Sequence, residues 1–215
     1  MSEDASKITI DEGAYVDPTA VLAGEVVIGR GCYISPGAVL RGRITIGEGT
    51  LIGERTVLFG NITVGHHCTI TIGVVIRGGN TIGSYVCIYD LVNLEGGRSY
   101  EEYGDRSILG DGAWINHGAT MHGCVIGENA AVGINAALDY HCEIGRGAIV
   151  ANGSACPVGL VVPDNAVAEG VPAVVVARDI TDEDRRERLG LLPSERVVVH
   201  AESTARMVQR RLQSS

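Results

Sequence analysis

Aromatic side chains are almost missing from this chain of 215 residues, which has one Phe, one Trp and seven Tyr. A core of stacked rings is therefore excluded, and the interior has to be thin and filled by aliphatic and small residues. Basic residues are outnumbered, 17 Lys and Arg against 26 Asp and Glu, for a formal charge of -9. That deficit removes the electrostatic footprint of a surface for nucleic acid or an anionic membrane. No stretch approaches the roughly 18 unbroken apolar residues of a membrane span. The opening MSEDASKITI has no basic segment leading into an apolar run. The expectation is a soluble, cytoplasmic protein with neither nucleic acid nor membrane as partner.

The six cysteines form no C-x-x-C pair, and no disulfide framework is indicated. Cys32, Cys68 and Cys142 each fall four residues after a repeat aliphatic, in a slot held elsewhere by Ala, Thr or Val. Free thiols in that slot read as small buried hydrophobes in a reducing compartment.

What the chain does have is rhythm. Val16, Leu22, Ile28, Ile34, Leu40, Ile46 and Ile52 open a series of aliphatic residues at every sixth position that runs to Leu94. A fixed six-residue period is the hexapeptide repeat of a parallel β-helix. The small residue two places before each aliphatic shares its face of a short strand, as in Cys32 with Ile34 and Ala38 with Leu40. The residues between are rich in Gly, Asn and Asp, which suit tight corners. A helix is excluded by the period and by the density of the 30 Gly.

A longer rhythm sits on the first: Ile28-Gly29, Ile46-Gly47, Val64-Gly65 and Ile82-Gly83 recur every 18 residues. Three hexapeptides per coil make each coil triangular. About eight coils at the strand spacing of about 4.8 Å give a prism about 35–40 Å long. The prism is expected over residues 14–178, broken by a polar excursion at 95–107 (EGGRSYEEYGDRS). The rhythm resumes at Leu109, Ile115 and Met121, then slips by one residue between Met121 and Ile126. A loop interrupting a stiff solenoid points to function or subunit contact. Residues 179–215 read as a helical segment lying on the prism, with Thr181 as cap and Asp182, Glu183 and Asp184 in the first turn.

The chemistry lies where the rhythm breaks. His117 and His122 form an H-x4-H pair at the slip, just after the excursion. A spacing of five puts the two rings on different faces of one coil, so they meet only if they come from different subunits. His66 and His67 sit in a regular corner and read as solvated, His141 could line a cleft, His200 lies in the tail, and Trp114 reads as a packing anchor.

Tyr15-Val16-Asp17-Pro18-Thr19-Ala20, the segment Asn116-His117-Gly118-Ala119-Thr120-Met121-His122-Gly123-Cys124, and Gly170-Val171-Pro172-Ala173 together resemble the γ-class carbonic anhydrase-like family. The resemblance covers roughly residues 14–180. It implies a left-handed all-β prism, although the general rule for parallel crossovers would give the opposite hand. It also implies a homotrimer holding zinc, or in some members iron or cobalt, between subunits. One subunit would supply His122 and the residue five beyond Asp90, and its neighbour His117. That residue is Glu95 where the family has His, Tyr89 stands where the family has Gln, and Arg77-Gly78-Gly79 replaces its R-G-D corner.

Two His and one Glu form a recognised zinc set that leaves a fourth position for water. The anionic ligand makes that water less acidic, which argues against fast carbon dioxide hydration. The resemblance thus implies a zinc-dependent lyase or hydrolase acting on a small carbonyl substrate by hydration, hydrolysis or acyl-group chemistry. The metal ligands would be His117, His122 and Glu95. Arg77 and Asp90 are expected to form an ordering ion pair, while Tyr89 stands beside the site and Glu101 in the excursion gates it or relays protons. Two alternatives stay open: a coenzyme A-dependent acyltransferase using His117 or His122 as general base, and a non-catalytic trimeric scaffold.

Overall fold

The structure, a computed structural model, describes residues 7–96 and 106–213. The chain winds into a left-handed parallel β-helix of about eight turns. Long strands such as Val21–Ile28, Val39–Ile46, Val57–Val64 and Val75–Ile82 stack in parallel and in register. Each bends across a prism edge at a glycine. Gly42 and Gly60 occupy positive φ there (118 and 137), and a Cβ on Gly42 would overlap the carbonyl oxygen of Gly60. Only glycine allows the coils to approach this closely.

The other face is a ladder of two-residue strands from Tyr15–Val16 through Cys87–Ile88 and Trp114–Ile115 to Ile149–Val150. Every inward aliphatic of the repeat from Ile28 to Leu94 is at most 1% exposed, and together they form one continuous core. Cys32, Cys68 and Cys142 are fully buried in it, as their slot requires. Burial contributes about 1.5–3 kcal/mol for each such side chain before the entropy of ordering is subtracted.

Two irregularities set the site. Glu95 pairs with Arg77 and Ser107 with Asn80, so the two ends of the interruption lie on the same coil, side by side on the strand Val75–Ile82. The slip is absorbed at Gly123, which takes φ 57 and lets His122 keep its rung opposite Glu95.

Past the last coil, helix α1 (Asp182–Leu189) starts on a capping box between Thr181 and Asp184 and ends at Gly190. Arg185 fastens it by donating to the carbonyl of Gly147 and to Asn165. Helix α2 (Pro193–Leu212) returns along the face of short strands. Its Arg211 lies over the Tyr15 ring, 5.6 Å from the centroid. A second apolar cluster outside the prism joins Cys87, Tyr89, Trp114, Ile149, Val167 and Ile180, with Leu189 of α1 packed against it. Trp114, 4% exposed, is a packing anchor. Among the described residues, no helix is long and apolar enough to cross a membrane.

Candidate metal centre

The residue before each edge glycine projects outward from one face, and successive coils align these residues. Arg77, Glu95 and His122 therefore stand on consecutive rungs of a single ladder. Glu95 Oε2 lies 3.5 Å from an Arg77 guanidinium nitrogen and 3.9 Å from His122 Nε2. The three side chains keep between 31% and 48% of their surface exposed. The 3.9 Å gap is too wide for a hydrogen bond. Tyr140 stacks on the His122 ring at 5.2 Å with an interplanar angle of 21°.

His117 stands at the adjacent corner, on the rung beyond Asp90. Asp90 Oδ2 is 3.5 Å from His117 Nδ1, while its Oδ1 accepts the Ile72 N–H at 3.1 Å. Nδ1 is thus the ring nitrogen nearest the carboxylate, and Nε2 is the one turned away from it. Tyr89 lies flat on this ring, with centroids 4.9 Å apart and planes 10° from parallel.

The expected Arg77–Asp90 ion pair is therefore replaced by two others, Arg77 with Glu95 and Asp90 with His117. Residues on one coil point from different faces, whereas equivalent positions on successive coils touch. Glu101 lies outside the described residues. His141 is exposed at a corner, its ring 6.3 Å from Tyr140. Tyr140 beside His122, and His200 behind the Tyr89 that covers His117, are the partners that the sequence does not announce.

Among the described residues of one chain, no three His, Cys, Asp or Glu side chains converge on a point that could hold a metal. The candidate ligands instead stand in two places, the Glu95–His122 pair on a face and His117 on a corner. Two donors on one tetrahedral zinc stand about 3.4 Å apart, given bonds of about 2.0–2.2 Å. The observed 3.9 Å between Glu95 and His122 is close to that spacing, so the donors present fit such an ion. Asn93, on the strand of Glu95, has a buried Oδ1 without a hydrogen-bond partner among the described residues. Two grooves adjoin the candidate ligands. One of about 420 Å³ runs from His122 along Ala137, Leu138, Ala155 and Pro157 to Val171 and Pro172. The other, about 430 Å³, lies between His117, Trp114 and Arg188.

Comparison with known proteins agrees with this architecture. Residues 7–42 match the family described as bacterial transferase hexapeptide (six repeats). That match covers the first coils of the repeat only. Its sequence relatives include the carnitine operon protein CaiE of Escherichia coli, 37% identical over 36% of this chain and 39% of that protein. They also include a Methanocaldococcus jannaschii protein named as a probable carbonic anhydrase, 33% identical over 36% of this chain and 48% of that one. The mitochondrial gamma carbonic anhydrase 2 of Arabidopsis thaliana is 33% identical over 36% of this chain and 28% of its own length. The match thus spans less than half of each of these relatives. Among solved structures, the UDP-N-acetylglucosamine O-acyltransferase LpxA of Moraxella catarrhalis superposes with a TM-score of 0.54 at 19% identity, over 84% of this chain and 76% of that one. AntD, an N-acyltransferase from Bacillus cereus, does so with 0.56 at 18% identity, over 66% and 87%. Those two likenesses concern the fold alone. The γ-carbonic anhydrase-like resemblance rests on the sequence relatives.

Proposed function

We propose that this chain is a γ-carbonic anhydrase-like metalloprotein whose metal site is completed between subunits of a homotrimer. Glu95 and His122 of one subunit and His117 of the next are the ligands, and the ion is zinc, iron or cobalt. The reaction is hydration, hydrolysis or acyl-group chemistry on a small carbonyl substrate. The observation that carries this reading is the spacing of His122 Nε2 and Glu95 Oε2, 3.9 Å on adjacent rungs. That separation is wider than a hydrogen bond and near the donor spacing of a tetrahedral ion.

When bound, such an ion supplies a Lewis acid and an acidified water. The chain supplies the rest. Arg77 offsets the charge of the Glu95 carboxylate and holds it on its rung. Asp90 takes the Nδ1 edge of His117, which leaves Nε2 to donate; an outer carboxylate on a ligating imidazole is the usual arrangement. The groove beside His122 is mostly apolar and gives the carbon skeleton of a substrate a place away from bulk water. Acyl transfer from coenzyme A rests on the fold likeness and has no independent support in the site.

The test is subunit complementation. His117→Ala and His122→Ala proteins are each expected to lose metal by elemental analysis, as is Glu95→Ala. Refolding the two histidine variants together should restore metal to mixed trimers, because one intact site needs His117 and His122 from different chains. Unchanged metal content in all single variants, or no recovery on mixing, would overturn the reading.

A further inference from the structure

His117 is half-exposed on a corner, and its ring stands at the end of a chain of contacts that reaches back to the C-terminal helix. Tyr89 covers one face of the ring, 4.9 Å away and nearly parallel. Tyr89 itself is 9% exposed, wedged edge-on against Trp114 at 6.1 Å. Its phenol oxygen lies 3.0 Å from Nε2 of His200 on α2. Along the same helix Thr204 and Val208 are buried, and Arg211 lies over Tyr15 at the far end of the prism. The helix is therefore anchored over several coils, and His200 is the point where it grips the residue stacked on His117.

We infer that His200 is a positioning residue for His117, acting through Tyr89, so that docking of α2 sets the orientation of the ring that completes the neighbouring subunit's site. The inference rests on the metal-site reading for its consequence, but the positioning itself is a property of one chain. A stacked tyrosine free to tilt lets the imidazole follow it; tied down at its hydroxyl, it fixes the plane. Outer partners of this kind typically change metal affinity by about 10–100-fold when removed.

The test uses the full chain and two readouts. In the first, ring carbon–proton signals of labelled histidine are assigned to His117 with His117→Gln, and the stacked phenol should displace them from free-imidazole positions. His200→Ala should move them back part of the way and Tyr89→Ala the whole way. His200→Gln, which offers both a donor and an acceptor to the phenol, should restore much of the wild-type position. In the second, cobalt titration should show binding about tenfold weaker in His200→Ala and rescued in His200→Gln. Thermal unfolding checks that each variant is folded. Wild-type His117 signals in a folded His200→Ala protein would overturn the inference, whether or not cobalt binds. If the wild type takes up no cobalt, the metal reading fails, and the ring signals still decide the positioning role.

Discussion

Asp90→Asn separates two jobs that a single carboxylate performs at the His117 corner. Oδ1 accepts the Ile72 N–H at 3.1 Å, tying one coil's corner to the next, and an amide oxygen can do the same. Oδ2 lies 3.5 Å from His117 Nδ1, where an amide keeps the shape but loses the charge. The His117 and Asp90 side chains are 50% and 41% exposed, so their ion pair contributes well under about 1 kcal/mol to folding once solvent screening is counted. The stability change should therefore be small and within about 0.5–1 kcal/mol by urea unfolding. Metal affinity should respond far more, because an outer carboxylate fixes the tautomer and basicity of a ligating imidazole. About 10–100-fold weaker binding is expected in a chelator competition titration. Asp90→Ala should lose the corner hydrogen bond as well and be less stable than Asp90→Asn by about 1 kcal/mol. If Asp90→Asn unfolds easily yet binds metal as wild type does, the carboxylate is a corner fastener and the role assigned to it in orienting His117 is wrong.

Two further outcomes follow from the titration of particular groups. Burial pushes the Cys68 thiol up to about 12, and the residue is fully enclosed, so native protein at pH 8 should react with a thiol reagent about 10³-fold or more slowly than a free cysteine. Peptide-like labelling of Cys68 without unfolding would show that the coils open far more readily than their packing implies. The Asp184 carboxyl is held below its ordinary 3.8, first by the Thr181 backbone N–H and then by the Thr181 hydroxyl. Because the folded value is the lower one, this cap stabilises α1 fully above the ordinary carboxylate range and stops doing so as pH falls through the depressed value. Asp184→Asn should therefore be less stable than wild type at pH 7, and the gap should narrow as pH falls below the ordinary carboxylate range, as followed by circular dichroism; a gap that does not narrow in acid would refute the charge-based account.

The architecture was legible because its cause is local and repeated. Ile28, Ile34 and Leu40 are inward for the same reason, and one period predicts all of them. Glu95 and His122 were brought together in the sequence only by the family resemblance, and the strand register places them on adjacent rungs. The Arg77–Asp90 pairing failed because closeness along a coil is not closeness in space; each residue meets its equivalent one coil away, Glu95 and His117 respectively. Tyr140 reaches His122 around a corner, beyond the strand pairing that a six-residue pattern describes. His200 was the least visible, because α2 docks on the prism by side-chain fit and obeys no period shared with it.

Stacking in register would by itself make the prism extensible. Each strand from Val21–Ile28 to Val75–Ile82 rests only on the strands directly above and below it, in identical alignment. A whole triangular layer excised or duplicated ahead of Arg77 would leave the strands around Glu95 stacked as before, but it would shift Tyr89 against Tyr15 and so break the register of the prism with α2, which touches both. Height is then fixed jointly by the coils and by the helix that spans them: the shaft can lengthen only where α2 lengthens with it.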